Sequence, residues 1–373
     1  MNKWKQKIAR HILNIPGWNT KRKIIVFESD DWGSIRIPSR DVLNDLRNFG
    51  IPVDDDPFSK FDSLASSCDL EHLFETLTSV KDIFGHYPVL TANCVTANPD
   101  FDAIRKSNYS SYSYELFTET LKRYPEHSNS FNLWNQGMDM KVFYPQYHGR
   151  EHLNFIQWLG SLNHGSRDFL FAFALGTYAI NSESRSKRNN LLASLDYEEL
   201  TDKQIIIDAL IDGLNLFKRI FGFESVAYTP ACYTWNSEIE EILARKNVKY
   251  IKTSKVQNVI SPSIKKYKKR YHYNGKKNRF GQLYLVRNAL FEPSLNNRID
   301  WVDSCLNSID IAFKWNKPAI ICSHRLNFIG YINENNRVKN LKLLKQLLGN
   351  IMRKWPEVEF INSERLGNII SNS

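Results

Sequence analysis

Short runs of β-branched and aromatic residues recur along this chain, and most are followed by a longer segment of helical periodicity. Strand-like runs fall at 23–28, 88–93, 141–147, 169–174, 225–229, 248–252, 282–287, 318–322 and 357–361. Helical patterns fall at 39–49, 69–84, 110–124, 149–163, 202–221, 236–246, 299–315, 336–354 and 363–370, with Ser39 and Asp202 as N-cap residues. Such alternation builds parallel βαβ units. Seven to nine units over 373 residues predict one α/β barrel rather than a two-domain dinucleotide-binding enzyme. Neither GxGxxG nor GxxxxGK[ST] occurs, so the usual phosphate-cradling loops are missing. No apolar run approaches the ~18 residues of a spanning helix. The longest, Phe169 to Ile180, reads as a buried strand and its turn. A basic helical segment is expected over 1–22 and a single domain over 23–373, with insertions at about 94–140 and 253–281.

Charge is uneven. Residues 1–23 carry Lys3, Lys5, Lys7, Arg10, Lys21, Arg22 and Lys23 and no acid. Residues 263–279 carry Lys265, Lys266, Lys268, Lys269, Arg270, Lys276, Lys277 and Arg279, again with no acid. Together these exceed the net charge of +10, so the rest of the chain is net negative. Basic segments of this kind attract phosphates, anionic glycans or acidic lipid head groups, or simply stay solvated. Trp4, Ile8, Ile12 and Ile15 fall at helical spacing among the lysines, as in a helix lying on an anionic membrane or one packed on the domain; packing is the preferred expectation. Tyr267, Tyr271 and Tyr273 interleave the second basic run, but the negative remainder and the lack of a recognition motif argue against a nucleic-acid partner. The five cysteines are scattered, odd in number and without CxxC, which favours a reducing compartment. The basic N-terminus lacks the apolar core of a secretion signal, so a cytoplasmic location is expected, with a peripheral contact at the inner membrane face as a further expectation.

Three strand ends carry chemistry. Asp30 and Asp31 follow Ile24–Phe27 and precede Gly33. His148 and His152 form HxxxH after Val142–Tyr144; at a helix start, i and i+4 share a face and can share a metal. Glu151 is not at the zincin base position. His324 follows Ala319–Cys322. In a β/α barrel the carboxyl ends of the strands form the active-site face. Two His and one carboxylate make a hydrolytic metal set with positions left for water, and the second Asp and third His can then serve as base and acid. Taken singly, each feature also suits a polar turn or a core histidine.

Glu28-Ser-Asp-Asp-Trp-Gly33, His148-Gly-Arg-Glu-His152 and Ser323-His-Arg325, in that order, resemble the motifs of the polysaccharide deacetylase superfamily, the NodB-homology fold of carbohydrate esterase family 4. The resemblance spans about residues 24–330. It implies a distorted (β/α)7–8 barrel and a divalent metal, commonly zinc, on Asp31, His148 and His152. It also implies Asp30 as general base and His324 as general acid. The implied activity is N-deacetylation of an N-acetylated sugar or glycan precursor. A substrate carried on an anionic diphosphate would suit the basic segments. Catalytically degenerate binding of glycan or anionic lipid, or amide hydrolysis of a non-glycan substrate, are the alternatives.

The sequence departs from the family at its third motif, where Thr229 stands in place of an Arg that orients the base; Arg287 or Arg36 are the substitutes. The acidic support for the catalytic His falls to Asp300, Asp303 or Glu292. Trp32, Tyr147, Tyr228 and Tyr233 are expected to bind substrate, with Tyr144 and Trp235 near them, since aromatic faces stack on sugar rings.

Overall fold

The computed structural model describes residues 3–180, 182–184, 188–261 and 266–373, with side chains from residue 8 onward. Lys265 and the side chain of Trp4 lie outside the described residues. The strands are β1 Lys23–Trp32, β2 Leu90–Val95, β3 Ala97–Pro99, β4 Tyr114–Leu116, β5 Phe143–Gly149, β6 Ala227–Tyr228, β7 Tyr250–Thr253, β8 Val256–Val259, β9 Lys268–Tyr271, β10 Leu283–Val286, β11 Ala289–Leu290, β12 Ala319–His324 and β13 Val358–Phe360. The helices are α1 Lys3–Asn14, α2 Arg40–Phe49, α3 Pro57–Phe61, α4 Ser67–Leu77, α5 Phe101–Lys106, α6 Phe117–Lys122, α7 Ser130–Asp139, α8 Phe155–Asn163, α9 Arg167–Ala174, α10 Leu200–Phe221, α11 Ser237–Arg245, α12 Trp301–Lys314, α13 Glu334–Lys354 and α14 Ser363–Ser371.

Eight strands form one curled parallel sheet in the order β10-β7-β6-β5-β2-β1-β12-β11, and β13 also pairs with β1. Ile25 pairs with Ala319 on one side and Phe360 on the other, so β13 sits beneath β2, which joins β1 only from Phe27. The result is the expected α/β fold, an incomplete (β/α) barrel with helices outside. Its edge strands β10 and β11 are consecutive in the chain, separated only by Arg287 and Asn288. Arg287 N–H bonds Thr253 O of β7, and Asn288 N–H bonds Ile320 O of β12. The chain itself thus bridges the seam and delivers Arg287 to the barrel axis.

The strands read as continuous apolar runs because both sheet faces are covered. Ile24, Val26, Leu283, Leu285 and Ile320 pack in one cluster, and Ile25, Phe27, Leu90, Phe143 and Ile321 in the other. Ser39 caps α2, as expected, by accepting from Val42 N–H.

Three sequence expectations are corrected. Residues 169–174 are helix α9, not a strand. The run FLFAFA lacks β-branched residues, and Leu and Ala favour helix. Residues 110–124 are not one helix but β4 followed by α6. Helix α10 begins at Leu200, so Asp202 is not its cap but lies in its first turn, where an acid still favours the helix dipole. The stretch 94–140 contains the antiparallel β3–β4 pair and α5 to α7; 253–281 contains the antiparallel β8–β9 ribbon. No helix among the described residues is long and apolar enough to cross a membrane.

Candidate metal centre and its pocket

In a regular strand Asp30 and Asp31 would point to opposite faces. Here Asp31 takes φ of 73°, and the pairing of β1 with β2 shifts register between Ser29 and Trp32. Asp tolerates the left-handed region better than most residues. This bulge re-aims one side chain, and both carboxylates line the same pocket.

The two histidines of HxxxH converge by a different route from the helix expected. His148 is in β5, and His152 lies in the bend before α8, which starts only at Phe155 behind the Asn154 cap. Gly149 makes the bend possible: its φ is 136°, and a Cβ there would stand 2.9 Å from Glu151 O. His148 Nε2 comes to 3.5 Å and His152 Nε2 to 3.4 Å from Asp31 Oδ1. One ligand atom from each of the three residues lies within 4.8 Å of the others, a group that could hold a metal.

The surroundings fit a cation. Thr229 O can only accept, so at 2.6 Å it fixes the proton on His148 Nδ1 and leaves Nε2 as a lone pair. That buried Nε2 has no hydrogen-bond partner among the described residues. Arg36 donates to Asp31 Oδ2 at 3.0 Å, turning Oδ1 toward the histidines. Burial lowers the His152 pKa to about 3, with the Asp31 carboxylate opposing it, so the ring is neutral and able to ligate. Burial alone would raise the Asp31 carboxyl, but the Arg36 guanidinium, with the His324 imidazolium beyond it, holds it well below the usual carboxylate range.

Asp30 is held separately. Arg287 donates to Oδ2 at 2.5 Å and to Oδ1 at 2.6 Å, and Asn93 Nδ2 donates to Oδ1 at 2.6 Å. Of the four acceptor positions of a carboxylate, the one left open is on Oδ2, the oxygen 4.0 Å from His324 Nε2. Burial favours the neutral acid here, but the Arg287 guanidinium outweighs it and keeps Asp30 ionised. Arg287 also bonds Glu28 at 2.6 Å, and Ser363 completes Glu28. Beneath Asp30, the fully buried Lys252 ammonium donates to Asn93 Oδ1, which fixes the amide so that its NH₂ faces Asp30. Burial lowers Lys252 to about 8 against the pull of Glu28.

His324 receives its support from Glu292, whose Oε1 lies 2.7 Å from Nδ1 and whose Oε2 is held by Asn327 at 2.7 Å. Burial disfavours the imidazolium, but Glu292, then Asp31 and Asp30, raise His324 to about 9. Asp300 instead caps α12 and Asp303 lies exposed on it. Glu292, Cys322 and His324 form a second group of metal-capable atoms within 4.8 Å. Arg287 Nη1, 3.1 Å from Cys322 Sγ, already places a cation there.

The pocket encloses about 440 Å³. Asp30, Asp31, His148 and His324 stand at the strand ends and His152 in the bend after β5; the other walls include Asp56 and Phe58, Tyr178–Ile180, Ser182, Asn189–Leu192 and the 230–233 turn. Cys232 and Tyr233 in that turn have φ of 53° and 51°, strain of the kind stored at functional sites. Of the four aromatic residues expected to bind substrate, Tyr233 lines the pocket and its hydroxyl accepts from Arg287 at 2.9 Å. Trp32, Tyr147 and Tyr228 do not: they are core. Trp32 packs edge-on to Trp134 and Phe143, and Tyr147 stacks on Tyr228 and donates to Leu210 O. Tyr144 bonds Glu364, and Trp235 bonds Glu240, both away from the pocket. Phe58, edge-on to His324 with centroids 5.1 Å apart, carries no sequence signal and was reached only through the fold.

No family model matches the chain, and no curated protein matches it in sequence. Among solved structures it is similar to a putative polysaccharide deacetylase from Mycobacterium smegmatis, at 9% identity and a TM-score of 0.44 over 96% of this chain and 93% of that one. An allantoinase, Puue, matches at 9% identity and a TM-score of 0.48 over 94% and 91%. The 4-alpha-glucanotransferase from Thermococcus litoralis matches at 8% identity and a TM-score of 0.45 over 92% of this chain, which spans 40% of its length. These are likenesses of chain path.

Proposed function

We propose that this chain is a metal-dependent hydrolase that removes the acetyl group from an N-acetylated sugar. The observation that carries the reading is the convergence of Asp31, His148 and His152 on one point, beside an Arg-held carboxylate and a Glu-held imidazole. A divalent metal on those three residues, zinc in the first instance, would acidify water and polarise the acetyl carbonyl. Asp30 Oδ2, ionised and with one lone pair open toward His324, takes the proton of the incoming water. The new bond joins water oxygen to the carbonyl carbon, and the oxygen that becomes negative is assigned to a backbone N–H of the Pro230–Tyr233 turn, which lines the pocket. His324 is protonated at neutral pH and gives its Nε2 proton to the departing nitrogen as the C–N bond breaks, leaving acetate and a free amine. Arg287 and Glu292 position Asp30 and His324, the roles left open by Thr229 and by Asp300 and Asp303.

A substrate on an anionic carrier is supported by the β8–β9 ribbon, whose Lys268, Lys269 and Arg270 are exposed. Asn258 of this ribbon donates to Cys232 O of the pocket wall at 3.1 Å, and Lys269 donates to Asn258 at 2.5 Å. Lys269 therefore stands one residue beyond the rim. The five free cysteines suit a reducing compartment. A second reading, hydrolysis of a small cyclic or free amide, uses the same residues and the same pocket of about 440 Å³, a volume ordinary for small-molecule sites.

The test begins with elemental mass spectrometry of the purified full chain. About one divalent metal per chain is expected, lost in His148→Ala. Acetate release is then screened on free, nucleotide-linked and lipid-diphosphate-linked N-acetyl sugars beside small cyclic amides. Absence of metal in the wild type after incubation with zinc would overturn the hydrolase reading and favour a glycan-binding protein.

Glu292→Gln tests the acid. Removing that carboxylate removes the largest influence favouring the imidazolium and leaves only Asp31 and Asp30, so the His324 pKa falls from about 9. The alkaline limb of the kcat/KM profile should move to lower pH; an unmoved limb would separate His324 from the proton transfer.

A further inference from the structure

An amphipathic helix on a water-facing protein surface turns its apolar stripe inward. Helix α1 does the reverse. Arg10 reaches inward to Ser304 Oγ at 2.7 Å, Asn14 accepts from Asn288 Nδ2 at 2.8 Å and is 2% exposed, and Leu13 packs on the core. Ile8, Ile12 and Ile15 share the opposite face at i, i+4 and i+7 and are 37%, 48% and 55% exposed. Packing is therefore achieved mainly through polar side chains, and the isoleucine stripe is left outward. Trp315 widens the stripe: it is 39% exposed, lies edge-on to His11 and donates to its Nδ1 at 3.0 Å.

We propose that this face seats on an anionic lipid bilayer surface. Charge complementarity selects that occupant: Lys3, Lys5 and Lys7 belong to the same helix, and no acid occurs before Glu28. An apolar stripe with an indole at its edge, on a helix whose sequence carries only basic charge, forms an interfacial surface: the isoleucines enter the acyl boundary and the helix's positive charge attracts acidic head groups. The proposal is independent of the catalytic reading, since none of these residues lines the pocket.

Vesicle co-sedimentation of the full chain tests it, with phosphatidylcholine alone and phosphatidylcholine mixed with phosphatidylglycerol. The chain should sediment with the anionic vesicles, and added salt should weaken binding. The double variant Ile8→Asp/Ile12→Asp should bind roughly tenfold or more weakly, with an unchanged circular dichroism spectrum and unchanged metal content. Should that variant misfold, Ile15→Asp, just beyond the helix end, takes its place. Wild type left in the supernatant with anionic vesicles, or a double variant that binds equally, would overturn the proposal. So would a dimer by light scattering that the double variant converts to monomer, because the face would then belong to a second copy.

Discussion

Asp30→Asn should reduce acetate release by about 10²–10⁴-fold, the usual worth of a positioned base, while the chain keeps its metal. The two effects separate because β1 gives its adjacent carboxylates different partners. Asp31 is tied to Arg36 and faces His148 and His152. Asp30 is tied to Arg287 and Asn93 and faces His324. An amide at position 30 cannot accept the proton from water, and its NH₂ meets donors where an oxygen stood. Arg287 still has Glu28, at 2.6 Å, so its charge is not stranded. Metal per chain and acetate release measured on the same preparation decide the matter. Metal retained with full activity would remove Asp30 from the reaction; metal lost with activity would make it part of the metal site instead.

Much of this site is legible in the sequence because the fold places chemistry at strand ends, and strand ends can be read. Asp30, Asp31, His148 and His324 each follow an apolar run, and the structure brings them to one pocket. Arg287 is legible for the same reason, as the last residue of the run 282–287. What was misread depends on local backbone geometry. HxxxH looks helical by spacing, and only the positive φ of Gly149 shows that strand and bend do the work. Trp32, Tyr147 and Tyr228 each stand next to a pocket residue (Asp31, His148 and Thr229), yet strand pleating turns them into the core. Nothing in Val248–Lys252 marks the lysine as buried: a basic residue ending an apolar run ordinarily reaches water, and here Asn93, Asp30 and Glu28 around it make burial tolerable. Glu292 needed the path of the chain after β11 to be distinguished from Asp300 and Asp303.

Asp62→Ala should destabilise the chain by about 3–5 kcal/mol, the range for breaking a buried pair from one side. Arg325 and Asp62 are both fully buried, and two bonds of 3.0 Å join the guanidinium fork to the carboxylate. Arg36 adds a contact at 3.7 Å. Losing Asp62 leaves the Arg325 cation uncompensated, and alanine offers no oxygen in return. Asp54→Ala provides the contrast. Its partner Arg47 also forms two close bonds, at 2.6 and 2.9 Å, but the side chains are 47% and 41% exposed, and solvent screening leaves such a pair little to contribute. Urea midpoints of the two variants against wild type make the measurement. A loss for Asp62→Ala no larger than for Asp54→Ala would mean that water reaches Arg325 once the carboxylate is gone. The substitution should also weaken metal retention: Arg36 is shared between Asp62 and Asp31, so loosening it removes the bond that aims Asp31 Oδ1 at the histidines. Stability and metal affinity are thus coupled through one arginine, and a variant that lost stability while holding metal as tightly as wild type would show that Asp31 is aimed by the β1 bulge alone.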